Sequence, residues 1–422
     1  MKEAARVAGS LRSFLSNYKT QLGNFGFLSL MDLFNMATPI FMYPMVIERI
    51  GLKSYGYVIT AQVAASYMVF FVDLGLRTIL PRNVSKLRED RYKLSEIVSA
   101  ALLIRLVMWI VSLFLYMLII PLFPMYNDNK LLLIYAFGIT FNELLFPVYY
   151  FQGIEKMKFI SVINIAVNSL YICLVYFFLE SSSEAHLITL FKGVTLLTGG
   201  LFSLYIVFGL HGLTFVIPKF KFCISLVKES KAIFLTELLT TIKDKFGVFL
   251  IGSYIGMSEL VIYDLGSKFT SIMAKPVTVI SKVVFPLISL KTDVNVLRKV
   301  FYLNFAGMLG IVTLFNIFIG DIVAYFIDET AHTWVLRIFS LAPIFLSLSS
   351  FLGTNGLIAF GKSRLMLSSI GFTTMVYITL LGIIYFMNWN SSLAMFVLLT
   401  VITYMAEFIF RLYHSGLREM KK

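Results

Sequence analysis

Three lysines at seven-residue intervals are the side chains of this chain best placed to bind a charged molecule. Lys268, Lys275 and Lys282 lie in one long apolar stretch. In an α-helix this spacing keeps side chains on one face, with only ~20° of drift per repeat, and the row covers ~21 Å of helix. Because an ammonium group is a movable point charge that binds phosphate, we expect the row to bind an anionic substrate. Two alternatives stay open: Lys268 pairs with Asp264, or the outer two lysines extend to polar surroundings at either end.

Other apolar stretches also contain charged residues, which are costly there unless they face a polar interior. The remaining basic candidates for substrate binding are Arg105, Lys243 and Lys245. The acidic candidates for binding a coupling cation, either a proton or sodium, are Asp32, Asp73, Glu143 and Asp244.

Some of these assignments have a structural alternative. Asp73 lies near the end of its apolar stretch, in VDLGLR, so simple solvation at an interface is the stronger interpretation for this carboxylate. A salt bridge between helices explains Asp244 and Lys245 as well as a role with substrate does.

The chain lacks the side-chain patterns of an ordinary active site. It has no Gly-rich phosphate loop, no catalytic acid pair and no nucleophile elbow. Its four histidines are far apart in sequence, and its two cysteines, Cys173 and Cys223, do not suggest a disulfide framework. We therefore expect a protein that is not an enzyme and has no cofactor, no metal site and no nucleic-acid partner.

The charged residues are carried by long apolar runs of the length that spans a membrane. The sequence is 59% hydrophobic, and a span needs about 20 mostly apolar residues to cross the hydrocarbon core. We predict an all-α integral membrane protein with twelve spans, at residues 22–44, 57–76, 97–120, 131–151, 159–179, 187–210, 231–255, 260–290, 300–320, 334–360, 365–387 and 391–410.

The loops between these runs alternate in charge. Loops on one side hold most of the 36 basic residues, while those on the other hold only Arg49, Lys53 and Lys130. Since cytoplasmic loops are enriched in Lys and Arg, we expect both termini to be cytoplasmic and the number of spans to be even. The net charge of +13 then follows from topology and attraction to anionic lipids. Residues 4–18 read as an amphipathic helix at the membrane surface.

An internal repeat divides the chain into two halves. Gly51 matches Gly256, Pro81 matches Pro286, and Gly153 matches Gly361, all at nearly the same offset. We expect two six-helix bundles related by a pseudo-two-fold axis along the membrane normal, with a cleft between them. The predicted domains are an N-terminal lobe at 1–210, a cytoplasmic linker at 211–230 and a C-terminal lobe at 231–422.

Several segments together resemble a known family. These are PIFMYPMVIERIGLKSYGYV, VDLGLRTILPRN, FPVYYFQGIEKMKF, IYDLGSKFTSIMAKPVTVISKVVFPLIS and TNGLIAFGKSR. In this order and spacing they resemble the Wzx-type polysaccharide flippases (O-antigen transporters), in the superfamily that also contains the MATE drug antiporters. Asp244, Lys245 and Lys268 lie where the family tends to carry charged residues, whereas Lys275 and Lys282 rest on spacing alone.

The resemblance implies a flippase that moves an undecaprenyl-diphosphate-linked oligosaccharide across the cell inner membrane by alternating access. A polysaccharide polymerase and a chain-length regulator are candidate partners beside the lipid-linked substrate and the membrane lipids. The alternative is a cation-coupled multidrug or small-solute exporter of the same fold. A membrane enzyme such as a glycan polymerase is less favoured, because the outer loops near 44–56 and 321–333 are short.

Overall fold

The computed structural model describes residues 19–123, 127–291, 294–327, 332–415 and 417. All regular secondary structure in these ranges is helical. A helix satisfies its own backbone hydrogen bonds, which is what an apolar chain requires in lipid, where no water is present to do so. The amphipathic segment predicted at residues 4–18 lies outside the described ranges.

The N-terminal part of the described chain forms eight α-helices joined by short turns. They are α1 (Lys19–Asp73), α2 (Leu76–Leu87), α3 (Arg91–Ile119), α4 (Lys130–Ala136), α5 (Phe141–Leu145), α6 (Val148–Gly153), α7 (Met157–Phe178) and α8 (Ala185–Tyr205). A π-helical turn, Ile206–Leu210, extends α8.

The C-terminal part begins with two long helices that carry most of the charged candidates. The helices here are α9 (Phe220–Tyr254), α10 (Met257–Lys291), α11 (Val294–Ile317), α12 (Ile319–Ile327), α13 (Thr333–Phe339), α14 (Ala342–Phe351), α15 (Ser363–Phe386) and α16 (Leu393–His414). A π-helical segment, Leu352–Ile358, continues α14.

Nine helical segments of the described chain are long and apolar enough to cross a bilayer, so the protein is a multi-pass membrane protein. The predicted spans 231–255 and 260–290 correspond to α9 and α10, which are long enough but are not among the nine. The nine segments are Gly26–Leu87, Arg91–Leu122, Lys130–Gly153, Met157–Phe178, Ser182–Leu210, Val294–Ile317, Thr333–Ile358, Ser363–Phe386 and Leu393–His414.

One of these segments, Gly26–Leu87, contains two of the predicted spans. Gly51 interrupts α1 between them with φ of 75°, a left-handed conformation that glycine adopts without the penalty of a Cβ atom. Its predicted repeat partner, Gly256, separates α9 from α10 and also has a positive φ, of 156°. Both glycines thus lie at breaks between predicted spans, while the internal repeat and the twelve-span, two-bundle arrangement stay predictions.

The described chain folds into two compact units. The first comprises the described residues up to Met45 together with Ala61–Glu237, and the second comprises Val46–Thr60 together with those from Leu238 onward. The predicted boundaries at 210 and 230 stay a prediction. The core of the first unit is built on buried residues from α2, α3 and α6, such as Leu80, Val98 and Phe151.

Close packing inside the first unit depends on small residues. A Cβ atom placed on Gly138 would lie 2.7 Å from the Cα of Gly193, so the backbones of α8 and of the 3₁₀ turn Phe137–Thr140 approach as closely as two glycines allow. In lipid, helices gain little from hydrophobic burial and associate through such close approaches and through polar groups.

Candidate functional site: buried ion networks and a polar cavity

Arg105 is the centre of a buried charged cluster in the first unit. Its side chain, on α3, is 2% exposed. Nη2 lies 2.5 Å from Oδ1 of Asp73 and 3.4 Å from Oε2 of Glu143, and Nη1 donates to the Glu143 carbonyl oxygen at 2.7 Å. The guanidinium also lies over the Tyr149 ring, 5.0 Å from its centroid. Three of the predicted site residues are therefore brought together.

Asp73 has a second role in this cluster, as the residue that closes α1. Its carboxylate accepts hydrogen bonds from the backbone N–H of Arg77, at 3.1 and 3.3 Å, and so satisfies a free donor in the first turn of α2. Asp73 is only 1% exposed, and the interpretation of this residue as an interfacially solvated carboxylate is wrong. The partner that permits its burial, Arg105, lies on a different helix.

The cluster continues toward α9 through a second arginine. Arg77 Nη2 lies 3.1 Å from Oε2 of Glu237, and the Thr78 hydroxyl donates to Oε1 of the same carboxylate at 3.4 Å. The Arg77 side chain is 44% exposed, so losing one member of this pair should cost less than losing one member of the buried pair between Arg105 and Asp73.

A second ion network lies inside the second unit and connects α9 to α16. Lys243 Nζ lies 3.6 Å from Oε2 of Glu407 and 3.5 Å from Oδ1 of Asp244, and its side chain is 5% exposed. Oε1 of Glu407 lies 2.6 Å from Nη2 of Arg411, whose guanidinium also donates to the Ser349 carbonyl oxygen at 3.2 Å. Lys243 thus pairs with two acids, of which only Asp244 was a sequence candidate.

Beside this network lies a small polar cavity of about 40 Å³. It is enclosed by side chains of α9, α10, α13, α14, α15 and α16, and all of its lining residues except Phe339 and Leu346 are polar. Across it, the Tyr263 hydroxyl lies 2.8 Å from the Thr400 hydroxyl. The lining residues are Lys243, Asp244, Tyr263, Ser267, Thr270, Ser271, Phe339, Leu346, Tyr377, Thr400, Thr403 and Tyr404.

A polar cavity between apolar helices is expensive to maintain, which favours a functional explanation. Sequence reasoning missed its hydroxyl groups, although a signal was present. Tyr263, Ser267, Thr270 and Ser271 recur at spacings of four, three and one, which places their hydroxyls along one face of α10.

The lysine row of α10 is less uniform than its spacing suggests. Lys268 forms an ion pair with Asp264 on the same helix, as the first alternative predicted. Lys275 is half-buried and Lys282 is exposed. The structure brings Lys243 and Asp244 to the cavity, whereas the lysine row is not part of its lining.

The two remaining candidates lie elsewhere. Lys245 is half-buried on α9, one residue beyond Asp244, and Asp32 is half-buried on α1. Neither lines the cavity beside Lys243.

His211 lies outside the spanning segments, directly after the π-helical turn that ends Ser182–Leu210. Its Nε2 lies 3.4 Å from Nζ of Lys156, and its Nδ1 lies 3.0 Å from the Tyr150 hydroxyl. Since an ammonium group only donates, Nε2 accepts and Nδ1 carries the proton. Partial burial, and then the positive charges of Lys156 and Lys158, lower the pKa of His211, which keeps the imidazole neutral.

The comparison with protein families identifies the chain. The model of the family described as "Polysaccharide biosynthesis protein" matches residues 22–290. The chain belongs to this family. Membership confirms the resemblance predicted from the motifs and the expectation of a transport protein rather than an enzyme.

Two curated relatives agree with this family. A protein of Escherichia coli (strain K12) named "Putative O-antigen transporter" is 23% identical over 173 residues, which are 41% of this chain and 42% of that protein. A protein of Shigella dysenteriae with the same name is 21% identical over 341 residues, or 79% of this chain and 85% of that one. The chain thus aligns with less than half of the first relative and with most of the second.

Solved structures of low sequence identity have the same fold. The lipid II flippase MurJ, in an inward closed conformation, superposes with a TM-score of 0.69 at 16% identity, covering 91% of this chain and 86% of that chain. An inward-facing MATE family multidrug resistance transporter of the MOP superfamily gives a TM-score of 0.67 at 14% identity, covering 93% and 96%. The fold is therefore one shared by flippases and drug transporters.

Proposed function

We propose that this protein is a flippase that translocates undecaprenyl-diphosphate-linked oligosaccharide units, the precursors of O-antigen or a related surface polysaccharide, across the cytoplasmic membrane by alternating access. Family membership supports the general class of lipid-linked polysaccharide transport. The names of the two relatives and of the flippase with the same fold favour a lipid-linked glycan as substrate.

The observation that carries the proposal is the hydroxyl-rich lining of the polar cavity inside the second unit. A sugar unit exposes many hydroxyls, and each costs on the order of 2–7 kcal/mol when it enters hydrocarbon without a hydrogen-bond partner. Tyrosine, serine and threonine hydroxyls both donate and accept, so the lining of this cavity can replace the water that a sugar loses.

The charged residues then divide into two proposed roles. The anionic diphosphate is bound by basic side chains, for which we retain Lys275, Lys282 and Lys245. We also retain Lys268, Lys243 and Arg105, which bind it by exchanging the carboxylates that they contact here. A coupling cation, either a proton or sodium, is bound by carboxylates, for which we retain Glu143, Asp73, Asp32 and Asp244. In this scheme both termini are cytoplasmic, and a polysaccharide polymerase and chain-length regulator use the delivered substrate.

A cell that lacks the protein tests this function directly. We expect lipid-linked repeat units to accumulate in the inner leaflet of the cytoplasmic membrane, and surface polysaccharide to disappear, until the gene is restored. Extraction of lipid-linked oligosaccharides with analysis by mass spectrometry measures the accumulation. Normal surface polysaccharide with no accumulation in the null strain would contradict the proposal.

A second candidate function, export of drugs or small solutes, is favoured by one feature of the same cavity. Its lining includes the carboxylate of Asp244 and the aromatic rings of Tyr263, Phe339, Tyr377 and Tyr404, a combination that suits an organic cation. Dye efflux distinguishes the two functions. An exporter lowers the intracellular level of cationic dyes when it is expressed, whereas a dedicated flippase leaves that level unchanged.

A further inference from the structure

Lys192 differs from the other buried cations of the first unit. It lies on α8 in the spanning segment Ser182–Leu210 and is half-buried. Its Nζ donates to Oδ1 of Asn168 at 2.8 Å and lies 4.6 Å from the centroid of the Tyr171 ring. Among the described residues no carboxylate lies within 4.0 Å of this ammonium group, in contrast to Arg105.

Three asparagines extend from Lys192 across α7 to α1. Asn168 Nδ2 donates to Oδ1 of Asn35 at 3.2 Å and to Oδ1 of Asn164 at 3.1 Å. Asn35 lies on α1, while Asn164 and Asn168 lie one turn apart on α7, close to its middle. We call Lys192, Asn35, Asn164 and Asn168 the amide cluster.

The chemistry of lysine determines the orientation of every amide in this cluster. An ammonium group is a donor only, so the atom of Asn168 that faces Lys192 is its oxygen. The Nδ2 group of Asn168 then faces the other two asparagines, which accept through their oxygens. Consequently the Nδ2 groups of Asn35 and Asn164 point away from Asn168.

The side-chain groups of the amide cluster that have no hydrogen bond yet are all donors. No other hydrogen bond to Asn35, Asn164 or Lys192 side chains occurs within the described part of the chain, and all three side chains are partly accessible. Each Nδ2 group has two N–H bonds, and the ammonium group has two more beyond the one given to Asn168. The open side of the amide cluster therefore presents N–H donors and one positive charge, while each amide oxygen already accepts one hydrogen bond.

We propose that the amide cluster binds an oxyanion of the transported molecule. A phosphate or carboxylate group consists of acceptors with negative charge, so it complements a set of donors around an ammonium group. A coupling cation would meet the like charge of the ammonium group and the N–H donors here, so an anion is the better match. The inference rests on the proposed function, and it adds Lys192, Asn35 and Asn164 to the residues that contact substrate.

Two substrate groups have this chemistry: the diphosphate of the lipid carrier and the carboxylate of an acidic sugar. Calorimetric titration of the purified full-length protein in nanodiscs with inorganic pyrophosphate, glucuronate and neutral glucose distinguishes them. We expect one anion to bind more tightly than the other and much more tightly than glucose. Preference for pyrophosphate indicates the carrier, and preference for glucuronate indicates the sugar.

Substitutions identify the cluster as the site of that binding. Lys192→Met should lower the affinity for the preferred anion by about tenfold or more, the usual effect of losing one charged hydrogen bond, while Lys192→Arg retains most of it. Lys53→Met, at an exposed position on α1, is the matched control and should bind as the wild type does.

A further variant tests the inference even if Lys192→Met does not fold. Asn164→Asp keeps the shape of the side chain and the oxygen that accepts from Asn168, but it replaces a donor with a negative charge. This variant should therefore lose anion binding. It should still elute from a size-exclusion column as a single folded species. Unchanged anion affinity in Lys192→Met and Asn164→Asp would overturn the inference. The inference would also be overturned if the wild-type protein bound neither anion more tightly than glucose. In either case the proposed function is still tested separately, by the accumulation of lipid-linked repeat units in the null strain.

Discussion

The buried pair between Arg105 and Asp73 allows a stability prediction whose size follows from the structure. Both side chains are 2% exposed, and removing one member of such a pair typically costs about 3–5 kcal/mol because an uncompensated charge stays buried. Glu143 still faces Arg105 at 3.4 Å, so we expect the lower limit, about 3 kcal/mol, for Asp73→Asn.

Asp73→Ala should cost more than Asp73→Asn. Asparagine keeps an oxygen for the N–H of Arg77, whereas alanine removes this hydrogen bond in the first turn of α2, which is worth about 1 kcal/mol. We therefore expect a loss of about 4 kcal/mol for Asp73→Ala. Glu155→Gln is the matched control, because the pair of Glu155 with Arg88 is 3.6 Å apart and nearly half exposed, and should cost less than about 1 kcal/mol.

Reversible unfolding in mixed micelles, followed by circular dichroism, measures these differences. The expected order of stability is wild type, Glu155→Gln, Asp73→Asn and Asp73→Ala. If both Asp73 variants unfold within about 1 kcal/mol of the wild type, the pair is not the buried constraint described here.

Three other perturbations follow from single features. Lys275→Ala should lower polysaccharide export by about tenfold, as expected for the loss of one charged contact to a phosphate, at unchanged protein abundance on a blot; normal export would remove this lysine from the substrate path. Because the folded protein lowers the pKa of His211, the unfolded chain binds more protons below about pH 6.5. Thermal stability should therefore fall as the pH decreases through this range, and the decrease should be smaller in His211→Gln; identical pH profiles of the two proteins would contradict the contact with Lys156. Gly138→Ala places a methyl group 2.7 Å from the Cα of Gly193 and should cost about 1–3 kcal/mol in micelle unfolding, whereas an unchanged midpoint would mean that the two backbones separate easily.

Features that depend on residues close together in the chain could be predicted from the sequence. Apolar runs indicated the helices, and Gly51 and Gly256 marked breaks that the structure shows as positive φ angles. The i, i+4 pairing of Lys268 with Asp264 was recognised as an alternative, because such neighbours meet on any helix.

Features that depend on contacts between segments far apart in the chain could not be predicted in this way. Asp73 looked solvated because it lies near the end of its apolar stretch, and its buried partner Arg105 comes from another helix. The amide cluster was also missed, since Asn35, Asn168 and Lys192 lie on three helices and form a donor surface only when these pack together. A single cation within a span was the available signal at Lys192, but no spacing rule connected it to the asparagines.

Reconstitution of the purified protein tests whether it moves a lipid-linked oligosaccharide across a bilayer. Proteoliposomes would contain an undecaprenyl-diphosphate-linked oligosaccharide with a fluorescent label on the sugar, and an impermeant quencher would be added outside. We expect the inner-leaflet label to become accessible to the quencher when the protein is present and to stay protected in protein-free vesicles. Equal protection with and without the folded protein would contradict the assignment as a flippase.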